Sequence, residues 1–178
     1  MPGTVSNECA TNRPDRSRTA ICTGTFGFVP RVPRSLLPDG VFHVYARGVA
    51  ATAAPFPSEV DKTTMFELLP RLRMRGVIVH AACVMSTHYH GIFEARRSRL
   101  SEAMHWLNWS YARSYNTSYG LHGHVFSERF QTRLIEGEKS LERRHDYVLA
   151  NPVRAGLCAS IEDWPWSFSR YAPRLCRF

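Results

Sequence analysis

Two histidines separated by one residue, His88 and His90, are the feature of the 178-residue sequence most suited to chemistry. The residues around them, Cys83 to Glu94, predict the end of one strand, a tight connection and a second strand. Side chains two apart on a strand point to the same side of the sheet, so both imidazoles face the same way. Imidazole is a common ligand for divalent metals, and the pair therefore predicts half of a metal site. The alternative is a pair of half-exposed strand residues with no ligand role.

A second pair, Tyr147 and Asn151, offers the groups that the histidines lack. Residues from about 138 to 151 predict a helix that stops at Pro152, because a residue before proline is disfavoured in helical geometry. Residues four apart are neighbours on one helical face. Asn151 can give an amide oxygen to a metal, and Tyr147 can give a hydroxyl. From this helix alone, Tyr147 is better explained as a partly buried anchor with its hydroxyl satisfied by a neighbour.

The charge balance of the chain is strongly basic. Lys and Arg number 23 against 15 Asp and Glu, which gives a net charge of +8 and an isoelectric point near 9.7. Such a surplus favours a polyanionic partner, with nucleic acid the first candidate, although a merely soluble basic surface explains it equally well. Trp106, Trp109 and Arg113 lie off the buried stripe of their predicted helix, where they could stack on bases or pack against a neighbouring element.

Five scattered cysteines without a Cys-x-x-Cys pair argue against a disulfide framework and a zinc ribbon. They predict a reducing, cytoplasmic location. We expect neither a membrane span nor a secretory signal, because no apolar run has the required length. The composition also predicts three parts: a disordered leader over residues 1–28, a domain over 29–171 and a short tail over 172–178.

The predicted elements follow the order strand, helix, strand, strand, helix, strand and helix. Ser58 is the expected N-cap of the first helix, which Pro70 should kink or split before it ends near Arg75. This order predicts an α+β fold of the ferredoxin-like split βαβ type. We expect an antiparallel four-stranded sheet with helices on one face, plus a C-terminal helix. The strands are predicted over residues 40–48, 77–85, 88–94 and 125–135, and the second helix from Ser98 or Ser101 to near Asn116.

Several stretches resemble the single-tyrosine HUH transposases, in particular the REP-associated tyrosine transposases. They are residues 42–48 (FHVYARG), 84–90 (VMSTHYH), 123–130 (GHVFSERF), 146–156 (DYVLANPVRAG) and 164–167 (WPWS). Together they cover about residues 30 to 171 in the order and at the spacing of the family. The chain departs from the family pattern at Ser86-Thr87, where Pro-Asn is usual.

The resemblance implies a nuclease domain that acts on single-stranded DNA containing hairpins, often as a homodimer. It implies that His88, His90 and Asn151 hold Mg²⁺ or Mn²⁺, and that Tyr147 is the catalytic residue of the C-terminal helix. The implied products are a 5′-phosphotyrosyl enzyme and a free 3′-hydroxyl, which can later rejoin the strands. The arginines expected to contact DNA are Arg47, Arg129, Arg143, Arg144 and Arg154.

Two other classes of function stay open at this point. One is a catalytically inactive or domesticated DNA-binding protein that recognises repeat hairpins through its basic surface. The other is a metal-dependent hydrolase that uses the same histidine pair with water as the nucleophile. The second requires an additional carboxylate ligand, for which the sequence offers no convincing candidate.

Overall fold

The computed structural model of the chain describes residues 38–49 and 54–172. The predicted leader, residues 1–28, and all but the first residue of the predicted tail lie outside these ranges. The described strands are β1 (Gly40–Arg47), β2 (Val77–Val84), β3 (His88–Ala95), β4 (Gln131–Ile135) and β5 (Ser167–Ser169). The described α-helices are α1 (Glu59–Leu68), α2 (Arg97–Tyr119), α3 (Glu138–Leu149) and the single turn α4 (Asn151–Arg154).

The five strands form one antiparallel sheet in the order β4-β1-β3-β2-β5. The first four strands have the order of the predicted split βαβ fold, which is confirmed. The prediction of four strands was wrong, because β5 adds to the outer edge of β2 opposite Ala81, Ala82 and Cys83. A segment of three residues is too short to show an alternating pattern. Trp164, three residues before β5, holds this strand beside β2, because its indole Nε1 donates to the carbonyl of Val84 at 3.0 Å.

Alternation in β1 separates the two faces of the sheet. Phe42, Val44 and Ala46 are buried against the apolar sides of α1 and α2 in the larger core. His43 and Tyr45 point to the opposite face, as strand geometry requires. The same rule places Tyr89, Gly91 and Phe93 of β3 in the larger core, and His88 and His90 on the opposite face.

Helix α3 covers that opposite face. Its last two residues, Val148 and Leu149, are buried in a second apolar cluster with Ala81, Cys83 and Ile92 of the sheet. The predicted C-terminal helix therefore packs on the side of the sheet that carries the histidines. None of the helices in the described part of the chain combines the length and apolar character needed to cross a membrane.

Two prolines affect the helices in different ways. Ser58 caps α1 through the predicted box with Asp61, and the α-helix ends before Pro70, where a 3-10 segment (Pro70–Arg75) continues. The last long helix ends before Pro152 as predicted, since α3 stops at Leu149, but Pro152 then lies in the first turn of the separate helix α4, which was not predicted. The missing N–H of proline has no consequence in a first turn, where such groups lack intrahelical partners.

The fourth strand is also shorter than predicted. The stretch from residue 125 to 130 is a loop, joined to β1 by an isolated bridge between Gly48 and Phe126. Regular pairing with β1 begins only at Gln131, opposite Tyr45.

Gly91 of β3 leaves the space that the ring of Phe93 occupies. A Cβ atom at this position would collide with the ring of Phe93, two residues along the same strand face. We predict that Gly91→Ala lowers the free energy of unfolding by about 1–3 kcal/mol, as is typical of overpacked cores. Chemical denaturation measures the loss, and Gly91→Ala combined with Phe93→Leu should recover part of it. A single variant as stable as the parent would contradict this packing.

Candidate active site

The two histidines of β3 form the centre of the site. The ring centroids of His88 and His90 lie 4.8 Å apart, with their planes at 85°. His90 is buried, whereas His88 is half-buried. Burial, followed by the charge of neighbouring groups, lowers the pKa of His90 to about 3, and burial and the Arg47 guanidinium lower the pKa of His88. Both imidazoles are therefore neutral at pH 7, which is the form that binds a metal.

Each of these histidines has one ring nitrogen engaged by a neighbour. The Nε2 atom of His43 lies 3.1 Å from Nδ1 of His90, and the two rings are stacked at 15°. Oγ1 of Thr87 lies 2.8 Å from Nδ1 of His88, so the residue that departs from the family pattern fixes this ring. Such bonds orient a metal-binding imidazole and set its tautomer. In both histidines Nε2 is the nitrogen left for a ligand.

His43 is a site residue to which sequence reasoning assigned no role. The alternation of β1 placed it on the polar side of the strand, but the pattern does not show which strand lies beside it. Pairing of β1 with β3 brings His43 beside His90, whose direct partner across the strands is Tyr45. Burial, together with the charges of Arg144 and Arg133, lowers the pKa of His43 to about 4, so its ring is also neutral.

Tyr147 of α3 lies over the histidines. Its ring is edge-on to those of His90 and His43, with centroid distances of 5.7 and 6.1 Å. The guanidinium carbons of Arg144 and Arg154 lie 5.5 and 5.3 Å from the centre of the same ring. Residues that are far apart in the chain, with His43 more than a hundred positions before Tyr147, are thus brought into one polar cluster.

Asn151 lies at the start of α4, immediately after the turn that ends α3. Its Nδ2 atom donates to the carbonyl oxygens of Tyr147 at 2.7 Å and Val148 at 3.3 Å. These bonds hold the amide nitrogen toward α3, so Oδ1 is the atom free to act as a ligand. Within residues 38–49 and 54–172, the hydrogen bonds of the Asn151 side chain are to these carbonyls and not to the histidines.

The predicted metal site is characterised by the types of side chain that could bind the ion. Among the described residues, no group of three or more His, Cys, Asp or Glu side chains is arranged to hold a metal ion. The predicted donor set of His88, His90 and Asn151 would therefore consist of two imidazoles and one amide, without a carboxylate. Such a set would leave the remaining positions around a divalent ion to water or to substrate oxygens.

The structure places the five arginines that were predicted to contact DNA in different surroundings. Arg47 lies opposite His88 in the strand register, and Arg144 and Arg154 lie against Tyr147. Arg143 instead donates to Oγ of Ser140 at 3.2 Å on the exposed side of α3. Arg129 lies in the loop before β4, on the wall of a groove beside α2.

Comparison with known proteins agrees with this geometry. The IS200-like transposase family matches residues 59–151, which is just over half of the chain and includes both histidines, Tyr147 and Asn151. The chain belongs to the IS200-like transposase family. The predicted relationship to transposases of the REP-associated tyrosine type is confirmed.

Two more specific matches are found within this family. A REP-associated tyrosine transposase of Haemophilus influenzae (strain Rd) is 37% identical over 43 residues, 24% of each protein. The match thus spans about a quarter of the length of this relative. A solved structure of a REP-associated tyrosine transposase bound to a REP hairpin has a TM-score of 0.56 and 20% identity. It covers 74% of this chain and 77% of the solved one, and it confirms the fold.

The hydrogen bond between the rings of His43 and His90 predicts that a substitution of His43 lowers the affinity for a metal ion. His43→Phe keeps a ring beside Tyr147 but removes the nitrogen that holds Nδ1 of His90. We expect Mn²⁺ binding to weaken by about 10–100-fold, the usual effect of losing such a partner. Titration calorimetry or Mn²⁺ electron paramagnetic resonance measures the affinity.

Tyr45→Phe is the matched control, since Tyr45 shares the strand face with His43 and its ring also lies near that of His90. This variant should bind Mn²⁺ as the parent does. Equal affinity of the His43→Phe variant and the parent, with both correctly folded, would show that His43 does not support the ligand.

Proposed function

We propose that the chain is a metal-dependent, single-stranded DNA transposase that cleaves and rejoins DNA through a 5′-phosphotyrosine on Tyr147. The observation that carries the proposal is the position of the Tyr147 ring, whose centre lies 5.7 Å from that of His90 and 5.5 and 5.3 Å from the guanidinium carbons of Arg144 and Arg154. A nucleophile, a pair of neutral metal ligands and positive charge thus converge at one place. Membership of a transposase family supports the same reaction.

His88, His90 and Asn151 are the residues that would hold Mg²⁺ or Mn²⁺. When bound, the ion would polarise the scissile phosphate and offset its negative charge. Support for this assignment comes from the lowered pKa values of the histidines and from the fixed orientation of both rings.

The side chains around Tyr147 suit a transfer of the phosphoryl group. A phenol is mostly protonated at neutral pH, so the attacking oxygen must lose its proton as the new bond forms. Arg144 and Arg154 place positive charge beside the ring, which favours the developing phenolate and binds phosphate oxygens. The bond from the Tyr147 oxygen to phosphorus forms while the bond from phosphorus to the 3′-oxygen breaks, and that oxygen takes up a proton.

Rejoining is the reverse of this reaction. A 3′-hydroxyl loses its proton and attacks the phosphotyrosine, so that a phosphodiester forms and the hydroxyl of Tyr147 is restored. The number of phosphoester bonds is unchanged in each direction, and no ATP is required.

The proposed substrate is DNA in which a single strand adjoins a hairpin. The net charge of +8 fits a polyanion, and the solved relative of the same fold is bound to a REP hairpin. We place the activity in the cytoplasm, and the homodimer stays a prediction.

Replacement of the proposed nucleophile separates the candidate functions. Tyr147→Phe should abolish a covalent adduct with labelled single-stranded hairpin DNA and Mn²⁺, while DNA binding stays within a few-fold of the parent. A denaturing gel detects the adduct, and fluorescence anisotropy measures the binding. Tyr45→Phe is the control and should form the adduct normally. His88→Ala should lose cleavage through loss of the metal.

Each alternative has its own outcome in this experiment. An adduct that survives in the Tyr147→Phe variant would overturn the assignment of the nucleophile. Cleavage that continues in this variant without any adduct would indicate water as the nucleophile. A parent protein that binds hairpin DNA tightly but never cleaves it would be a DNA-binding protein without catalysis.

A further inference from the structure

A groove of about 950 Å³ lies between α2 and the loop of residues 123–130. Helix α2 packs on the face of the sheet opposite α3, so this groove is separate from the cluster around Tyr147. Its most prominent side chain is Trp109, which is 52% exposed although indole is among the largest apolar groups. An exposed tryptophan in a concave surface indicates a binding site more strongly than one on a flat surface.

The groups around Trp109 match the chemistry of a nucleotide. The guanidinium of Arg113 lies 5.5 Å from the indole ring, and Arg129 lies on the loop wall. Asn108 accepts a hydrogen bond from the hydroxyl of Tyr89 at 2.8 Å through its Oδ1 atom, so its amide N–H groups remain to donate. Glu128, the carboxylate in the lining, accepts from Nε2 of Gln131 at 2.9 Å. The lining therefore carries more positive than negative charge.

We propose that this groove binds an unpaired nucleotide of the DNA substrate, with its base stacked on Trp109 and its phosphates beside Arg113 and Arg129. The inference rests on the proposed function, because it takes single-stranded DNA as the substrate. Stacking of bases on exposed aromatic rings and neutralisation of phosphates by nearby cations are the two features of single-strand binding that tolerate any sequence.

The loop wall of the groove also contacts the strand end that carries the proposed active site. The backbone N–H of Ser127 donates to the carbonyl of Arg47 at 3.0 Å, and Phe126 bridges to Gly48. Arg47 in turn lies opposite His88. A strand that leaves the groove around this end of the sheet passes Arg47 and reaches the histidines, so the groove would hold DNA that continues to the proposed cleavage site.

Other occupants fit the groove less well. A blunt duplex keeps its bases stacked on one another and offers Trp109 no base face along its length. A second copy of this chain would bring one basic protein, of charge +8, against another at a groove that is itself basic. An unpaired, negatively charged strand satisfies both the aromatic and the cationic groups.

Substitutions of Trp109 test the proposal in a Tyr147→Phe background, without added metal, so that binding is measured apart from cleavage. The probes are a fluorescent oligothymidylate of about twelve nucleotides, within the range that single-strand sites cover, and a blunt DNA duplex, which has no unpaired nucleotide. Trp109→Leu should weaken binding of the oligothymidylate by about five- to a hundredfold, the range for losing one stacked base. Trp109→Phe keeps a ring and should bind within a few-fold of the parent. Both variants should bind the blunt duplex as the parent does.

A charge-matched pair tests the cationic part of the groove. Arg113→Ala should weaken binding of the oligothymidylate, whereas Arg73→Ala removes an equal charge from an exposed position outside the groove and should have little effect. Equal weakening by both variants would show that only the total charge matters and would overturn the groove assignment.

Three other outcomes of these experiments would also decide whether the groove binds an unpaired nucleotide. Trp109→Leu binding like the parent, while the protein with Tyr147 still forms its adduct, would overturn this inference and leave the proposed function standing. A parent that binds no oligothymidylate would overturn this inference, whereas the proposed function is decided separately by the adduct with hairpin DNA. Sedimentation that shows a dimer of the parent dissociated by Trp109→Leu would identify the occupant as a second copy.

Discussion

The packing of α3 against the sheet is the contact on which the whole site depends. Val148 and Leu149 are buried against Ala81, Cys83 and Ile92, and Tyr147 is the residue directly before them. The histidines belong to β3, whose position is fixed by the larger core on the other side of the sheet. Because α3 is tied to this face by a small apolar cluster at its C-terminal end, the orientation of Tyr147 follows from that cluster.

Burial beneath α3 also sets the chemistry of the histidines. A buried imidazole among arginines loses its proton more readily, and the pKa values of His43 and His90 fall to about 4 and 3. The same arginines that disfavour an imidazolium attract phosphate. This arrangement of charge would suit both the neutral metal ligands and the anionic substrate of the proposed function.

Much of this candidate site could be predicted from local sequence patterns. The parts that could not be predicted are those that depend on which strands pair in the folded protein. Alternation along β3 puts His88 and His90 on one face, and helical spacing puts Asn151 one turn after Tyr147. The role of His43 was missed because it arises from the neighbouring strand, which no local pattern specifies. The edge strand β5 was missed because three residues are too few to show an alternating pattern. The strand β4 was predicted too long because residues 125–130 have a strand-like sequence but form a loop. The end of α3 before Pro152 was predicted, but the turn α4 was missed, because proline is equally suited to the first turn of a new helix.

The central claim is that a metal ion bound to His88 and His90 lies beneath the hydroxyl of Tyr147. A crystal grown with Mn²⁺ and an uncleaved single-stranded DNA, with anomalous scattering used to locate the manganese, tests it most directly. We predict an anomalous peak beside Nε2 of both histidines and Oδ1 of Asn151, with a phosphate of the DNA next to Tyr147. A peak held by other residues, or a phosphate bound away from Tyr147, would contradict it.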